Sequence, residues 1–97
     1  MKFKEVFYNG ESYNKMNKIK EIIHKNNLSW LFNAEFENSV IEIRNSTIIW
    51  KSGTWFSGTF KYGIWEGGDF MGIWENGIFI DGNFNGKFLS GIRKDKK

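Results

Sequence analysis

Apolar and polar residues change their period twice along this chain. From Lys2 to Tyr8 lysine and glutamate are set among Phe3, Val6, Phe7 and Tyr8, which predicts a short strand closed by the turn pair Asn9-Gly10. Ser12 stands where a helix N-cap would. Tyr13, Met16, Ile19, Ile22 and Ile23 follow at helical spacing, with Lys15, Lys18, Glu21 and Lys25 opposite, and this predicts an amphipathic helix ending near Asn26-Asn27. From Leu28 to Ile49 the pattern becomes β-like, with Trp30, Phe32, Phe36, Val40, Ile41, Ile43, Ile48 and Ile49 among short polar residues.

The second change comes at Trp50. Aromatic residues fall at 50, 55, 60, 65, 70, 74, 79, 84 and 88, each from Trp55 onward with a glycine two positions before it. On a period of 14, Phe56, Phe70 and Phe84 align, as do Gly58, Gly72 and Gly86, then Phe60, Trp74 and Phe88, then Gly63, Gly77 and Gly91. Ser52-Gly53, Ser57-Gly58, Asn76-Gly77, Asp81-Gly82 and Ser90-Gly91 are turn pairs in which glycine accepts a positive φ. About three residues remain between turns, so the pattern predicts very short strands carrying an aromatic ladder on one face, with the helix as its cover.

The unit Phe70-x-Gly72-x-Trp74-x-x-Gly77, with copies starting at Phe56 and Phe84, resembles the core of the MORN repeat. That resemblance implies hairpins stacked into one elongated sheet. A second resemblance is to pentapeptide-repeat proteins, carried by Ala34-x-Phe36-x-x-Ser39-x-Ile41 and the five-residue aromatic steps, and it implies a right-handed β-helix. The expected fold is α+β and mainly β: a repetitive antiparallel β-meander with one N-terminal amphipathic helix, the β-helix being the alternative. The expected organisation is a single domain over 1–97, with strand and helix in 1–33, the β-array in 34–91 and a basic tail in 92–97.

Composition sharpens this picture. The chain has 97 residues and no cysteine, so neither disulfides nor a cysteine-built zinc site can staple it. Aromatic residues, 19% of the chain, carry that load instead, each burying roughly 150–250 Å². The net charge of +3 is uneven: residues 1–33 hold six lysines against three acids, residues 92–97 four basic residues against one acid, and residues 34–91 four basic residues against seven acids. A repeat that gripped nucleic acid should be the basic part, and here it is the acidic part. No apolar stretch reaches the ~18 residues of a membrane helix and the opening alternates lysine with phenylalanine, so a cytoplasmic location is expected, the host cytoplasm if a phage encodes the protein.

Candidate chemistry is sparse. Asp81, Asn83 and Asn85 match the first half of a calcium loop, but Ile92 stands where the bidentate glutamate belongs. Gly82 to Lys87 is one residue short of a phosphate loop. His24 is placed to cap the helix C-terminus, and Asn45-Ser46-Thr47 is a glycosylation sequon in letters only. Glu66, Asp69, Glu75 and Asp81 read as a solvated face rather than a carboxylate pair. The expectation is therefore no enzyme, no cofactor and no metal.

The apolar positions beside the ladder, Phe56, Ile64, Met71, Ile73, Ile78, Ile80 and Leu89 with Thr54, form the candidate interaction face. The expected function is a non-enzymatic protein-binding module, which at this size suits a phage or mobile-element inhibitor of host defence such as an anti-CRISPR. One alternative is nucleotide or nucleic-acid binding through stacked Trp50, Trp55, Trp65 and Trp74. Another is a self-assembling structural component, with sheet edges pairing between copies.

Overall fold

A computed structural model describes residues 2–95. Phe3–Tyr8 forms β1 as the alternation predicts, and the Asn9-Gly10 turn, with φ of 51° and 79°, reverses the chain. The reversal continues further than expected. Glu11–Tyr13 becomes β2, antiparallel to β1 with Tyr13 opposite Val6, and Ser12 Oγ donates to the Glu5 carboxylate instead of capping a helix.

Helix α1 therefore starts later, spanning Met16–Lys25 without a side-chain N-cap, and buries Ile19, Ile22 and Ile23. It lies against β1. Asn27 at φ 60° ends it, and the Leu28 N–H returns to the Ile23 carbonyl at 3.0 Å. That closure turns Ser29–Asn33 into a 3-10 turn where a strand was expected; the strand begins only at Glu35.

Glu35–Arg44 (β3) and Thr47–Ser57 (β4) make an antiparallel hairpin closed by Asn45 and Ser46, both at positive φ. β3 also pairs parallel with β1. Thereafter every strand is two residues long: Thr59–Phe60 (β5), Ile64–Trp65 (β6), Asp69–Phe70 (β7), Ile73–Trp74 (β8), Ile78–Phe79 (β9), Asn83–Phe84 (β10), Lys87–Phe88 (β11) and Ile92–Arg93 (β12).

These strands do not pair with their neighbours in sequence. Each pairs parallel with a strand 14 or 15 residues away: β4–β6–β9–β12 on one side, the second half of β4 with β7 and β10 on the next, and β5–β8–β11 on the third. The repeat is thus a three-sided coil of stacked rungs, a β-solenoid of about three turns. The antiparallel hairpins of the meander are absent from 59–93, and the β-helix alternative fits. The final strand carries the coil into Ile92 and Arg93, which the sequence places in a basic tail; Lys96 and Lys97 of that tail lie outside the described residues.

Two physical features select the coil. Parallel stacking puts each aromatic on its counterpart in the next rung, giving inward rows Trp50–Trp65–Phe79, Trp55–Phe70–Phe84 and Phe60–Trp74–Phe88. Rings stack along rows, with Trp50 and Trp65 at 4.7 Å and 5° and Phe60 and Trp74 at 4.4 Å and 6°. Between rows they meet edge-on, as Trp65 does with Phe70 at 5.2 Å and 85°. Both are the favoured aromatic geometries. The corners supply the other feature: a Cβ on Gly68 would lie 2.1 Å from the Gly53 carbonyl oxygen and one on Gly86 2.1 Å from that of Gly72, so only glycine lets successive rungs close up.

The helix is not the cover of the aromatic ladder. The coil closes on its own rings, and its first rung is plugged by Trp30, edge-on to Phe60 at 5.4 Å, and by Phe36, stacked on Trp55 at 5.5 Å. Arg93 ends the other side. Its Cα pairs with Phe79, so it takes the fourth place in the Trp50 row, and its guanidinium lies 5.4, 4.2 and 5.9 Å from the ring centres of Phe79, Phe84 and Phe88. Asp95 holds it through two hydrogen bonds of 2.6 and 3.0 Å. Among the described residues no helix is long and apolar enough to cross a membrane.

Candidate interaction surface

Because rings fill the interior, the outer columns of the three sides are what the coil presents. On the first side, the residues preceding the inward positions are Ile49, Ile64, Ile78 and Ile92, in direct register, and those following are Lys51, Glu66, Ile80 and Lys94. The second side carries Thr54, Asp69 and Asn83, then Phe56, Met71 and Asn85; the third carries Thr59, Ile73 and Lys87, then Lys61, Glu75 and Leu89.

The candidate face of the sequence is thereby divided. Ile64, Ile78 and Ile80 share the first side, Phe56 and Met71 the second, and Ile73 and Leu89 the third. A meander would align them on one surface, whereas a coil turns a corner about every five residues. Phe56 is 46% exposed, Met71 41%, Ile73 39%, Ile80 39% and Leu89 54%, while Ile64 and Ile78 are half-buried by their column neighbours.

The four tryptophans proposed for base stacking are placed differently. Trp50, Trp55, Trp65 and Trp74 are all 0% exposed, each packed ring to ring, so none offers a face to a ligand. Trp55 Nε1 donates to the Gly58 carbonyl at 3.1 Å; the indole N–H groups of Trp50, Trp65 and Trp74 have no partner among the described residues.

The acidic residues are also distributed. Glu66 reaches Lys51 at 3.5 Å on the first side, Asp69 accepts from Asn83 Nδ2 at 2.8 Å on the second, and the Glu75 carbonyl accepts from Ser90 Oγ at 2.6 Å. Asp81 accepts from the Gly82 N–H at 2.8 Å and so serves its own turn. Among the described residues there is no group of three His, Cys, Asp or Glu positioned to hold a metal.

At the end of α1, His24 does not reach a free carbonyl. Its Nδ1 lies 2.6 Å from Ser29 Oγ, joining helix to 3-10 turn, and it is Asn26 Nδ2 that donates to the Ile22 carbonyl at 2.8 Å. Ser46 Oγ in turn donates to Asn26 Oδ1 at 3.1 Å, tying the β3–β4 turn to the helix. A cleft of about 430 Å³ lies between this turn and Asn9-Gly10, with Glu42 and Arg44 on its wall. Those two are engaged with each other at 2.7 Å, and the Arg44 guanidinium holds the Glu42 carboxyl below its ordinary pKa.

The sequence reading missed Arg93, and of the isoleucine column its interaction face named Ile64 and Ile78 but not Ile49 and Ile92. Both Arg93 and the column were visible on the 14-residue period, since 65, 79 and 93 fall on one row and 64, 78 and 92 on the next, with Trp50 and Ile49 one residue further back. No family model matches the chain, nor does any curated protein or solved structure.

Proposed function

We propose that this protein is a non-enzymatic protein-binding module that works from the outside of a rigid aromatic coil. The observation that carries the reading is the second side, where Phe56 and Met71 occupy successive rungs and remain 46% and 41% exposed, although Trp50, Trp55, Phe60, Trp65, Phe70 and Trp74 of the same rungs are fully buried. Aromatic residues and methionine are enriched at the centres of protein interfaces. Action in the cytoplasm, as a phage or mobile-element inhibitor of host defence such as an anti-CRISPR, is the biological setting that suits so small a module.

The test is an affinity pull-down of the tagged chain from host lysate after nuclease treatment, beside a Phe56→Lys/Met71→Lys variant whose circular dichroism and melting match the wild type. The expected result is a stoichiometric protein retained by the wild type and lost by the variant. Recovery of nucleic acid alone, or equal capture by both chains, would overturn the reading.

A further inference from the structure

We infer that the first side of the coil binds a second copy of this chain, antiparallel, about a two-fold axis lying along β9. The inference is independent of the Phe56 and Met71 reading, which concerns another side.

Register along the coil selects this axis. The first side carries two outward columns: Ile49, Ile64, Ile78, Ile92, and beside it Lys51, Glu66, Ile80, Lys94. Ile49 is 6% exposed yet stands outside the interior cluster, so its column is already well packed at the N-terminal end; Ile92 at 54% leaves that column open at the other end, and Ile80 at 39% leaves the column beside it open. A two-fold axis along a strand keeps each residue's place along that strand and reverses the order of the rungs. With the axis on β9, Ile78 and Ile80 meet their own copies, Ile64 meets Ile92, and Glu66 meets Lys94, twice over.

Neighbouring axes fail. Midway between β6 and β9, Lys51 would face Lys94 and Glu66 would face Ile80. On β6, Glu66 would face Glu66 and Lys51 would face Ile80. An axis midway between β4 and β6 would join Ile49 to Ile64 and Lys51 to Glu66, but it sets Ile78 over Glu42 of β3. The β9 axis joins apolar to apolar and acid to base on every rung it matches, and such self-complementarity is what an isologous interface requires. Rungs about 4.8 Å apart make the matched face only three rungs tall, well short of the roughly 1,600 Å² of a standard interface, so the association is weak.

Sedimentation equilibrium of the full chain, from micromolar to near-millimolar concentration at low salt, tests this. The wild type is expected to pass from monomer to dimer, Ile78→Lys to stay monomeric, and Glu66→Lys and Lys94→Glu each to weaken association about tenfold, with the double exchange restoring it. The chain contains no cysteine, so Ile80→Cys gives a second readout: it should oxidise to a covalent dimer, whereas Leu89→Cys on the third side should not. Ile78→Lys should leave partner capture in the pull-down intact, which separates failure of this inference from failure of the binding-module reading. A wild type that stays monomeric, a double exchange no better than the single ones, or equal cross-linking at 80 and 89 would overturn it.

Discussion

The two halves of this molecule solve the problem of a small core by different means. In residues 3–44 the elements are long enough to support one another. A ten-residue helix and a ten-residue strand enclose aliphatic side chains, Val6, Ile19, Ile22, Ile23, Ile41 and Ile43, around a hydrogen-bonded sheet. In residues 59–93 no strand exceeds two residues, and a two-residue strand makes too few backbone hydrogen bonds to stand alone. There the interior is almost wholly aromatic, and the ring stacks carry each rung on the one before it. The difference teaches that where strands are too short to define a sheet, the period of the large side chains defines it instead.

That contrast can be broken at several points. The largest effect is expected at Trp65, whose ring lies between Trp50 and Phe79. Trp65→Ala should destabilise the fold by about 3–5 kcal/mol in chemical denaturation, against about 1 kcal/mol for Ile41→Val in the aliphatic half. Trp65→Phe should cost far less than Trp65→Ala, because phenylalanine already fills that row at 79 and the change removes an indole N–H without a partner.

Glycines should divide in the same way. Gly68→Ala places a Cβ against the Gly53 carbonyl and is expected to lose on the order of 3 kcal/mol. Gly10→Ala has nothing within 4 Å and faces only its positive φ, a cost of about 1 kcal/mol. Equal effects at the two positions would mean that the rungs are not in contact at their corners.

Arg93→Ala should cost about 1–2 kcal/mol, since it removes the cation above three rings and its two hydrogen bonds to Asp95. The smallest effect belongs to Glu42. Its carboxyl, held low by Arg44, contributes stability that is present above the unfolded-state pKa and is lost as pH falls through the folded-state value. Glu42→Gln should therefore narrow the stability difference between pH 7 and pH 3 slightly, and the change should shrink in high salt, as a melting series would show.

Much of this was legible in the residues. The β1 strand, the Asn9-Gly10 turn, the helix face from Ile19 to Ile23 and the repeat register all follow from local spacing. Local spacing could not decide what a glycine turn does to the following strand: a positive φ at Gly63 or Gly77 is compatible with a hairpin reversal and with a corner. The choice rests on contacts 14 residues apart, which a short-range reading of turns does not weigh. For the same reason the apolar residues assigned to one face were divided among three, and tryptophans that looked available for a ligand were inside. β2 and the 3-10 turn were missed because a tight turn on one side and a helix cap on the other overrode the propensities of Ser12 and Trp30.

The most direct test of the account is a proton NOE map of the backbone over residues 59–93. Stacked rungs require contacts between Ile64 and Ile78, Asp69 and Asn83, and Ile73 and Lys87, each 14 residues apart. Hα–Hα contacts between consecutive strands, such as Ile64–Trp65 with Asp69–Phe70, would instead mean an antiparallel meander, and with it one continuous apolar face in place of three.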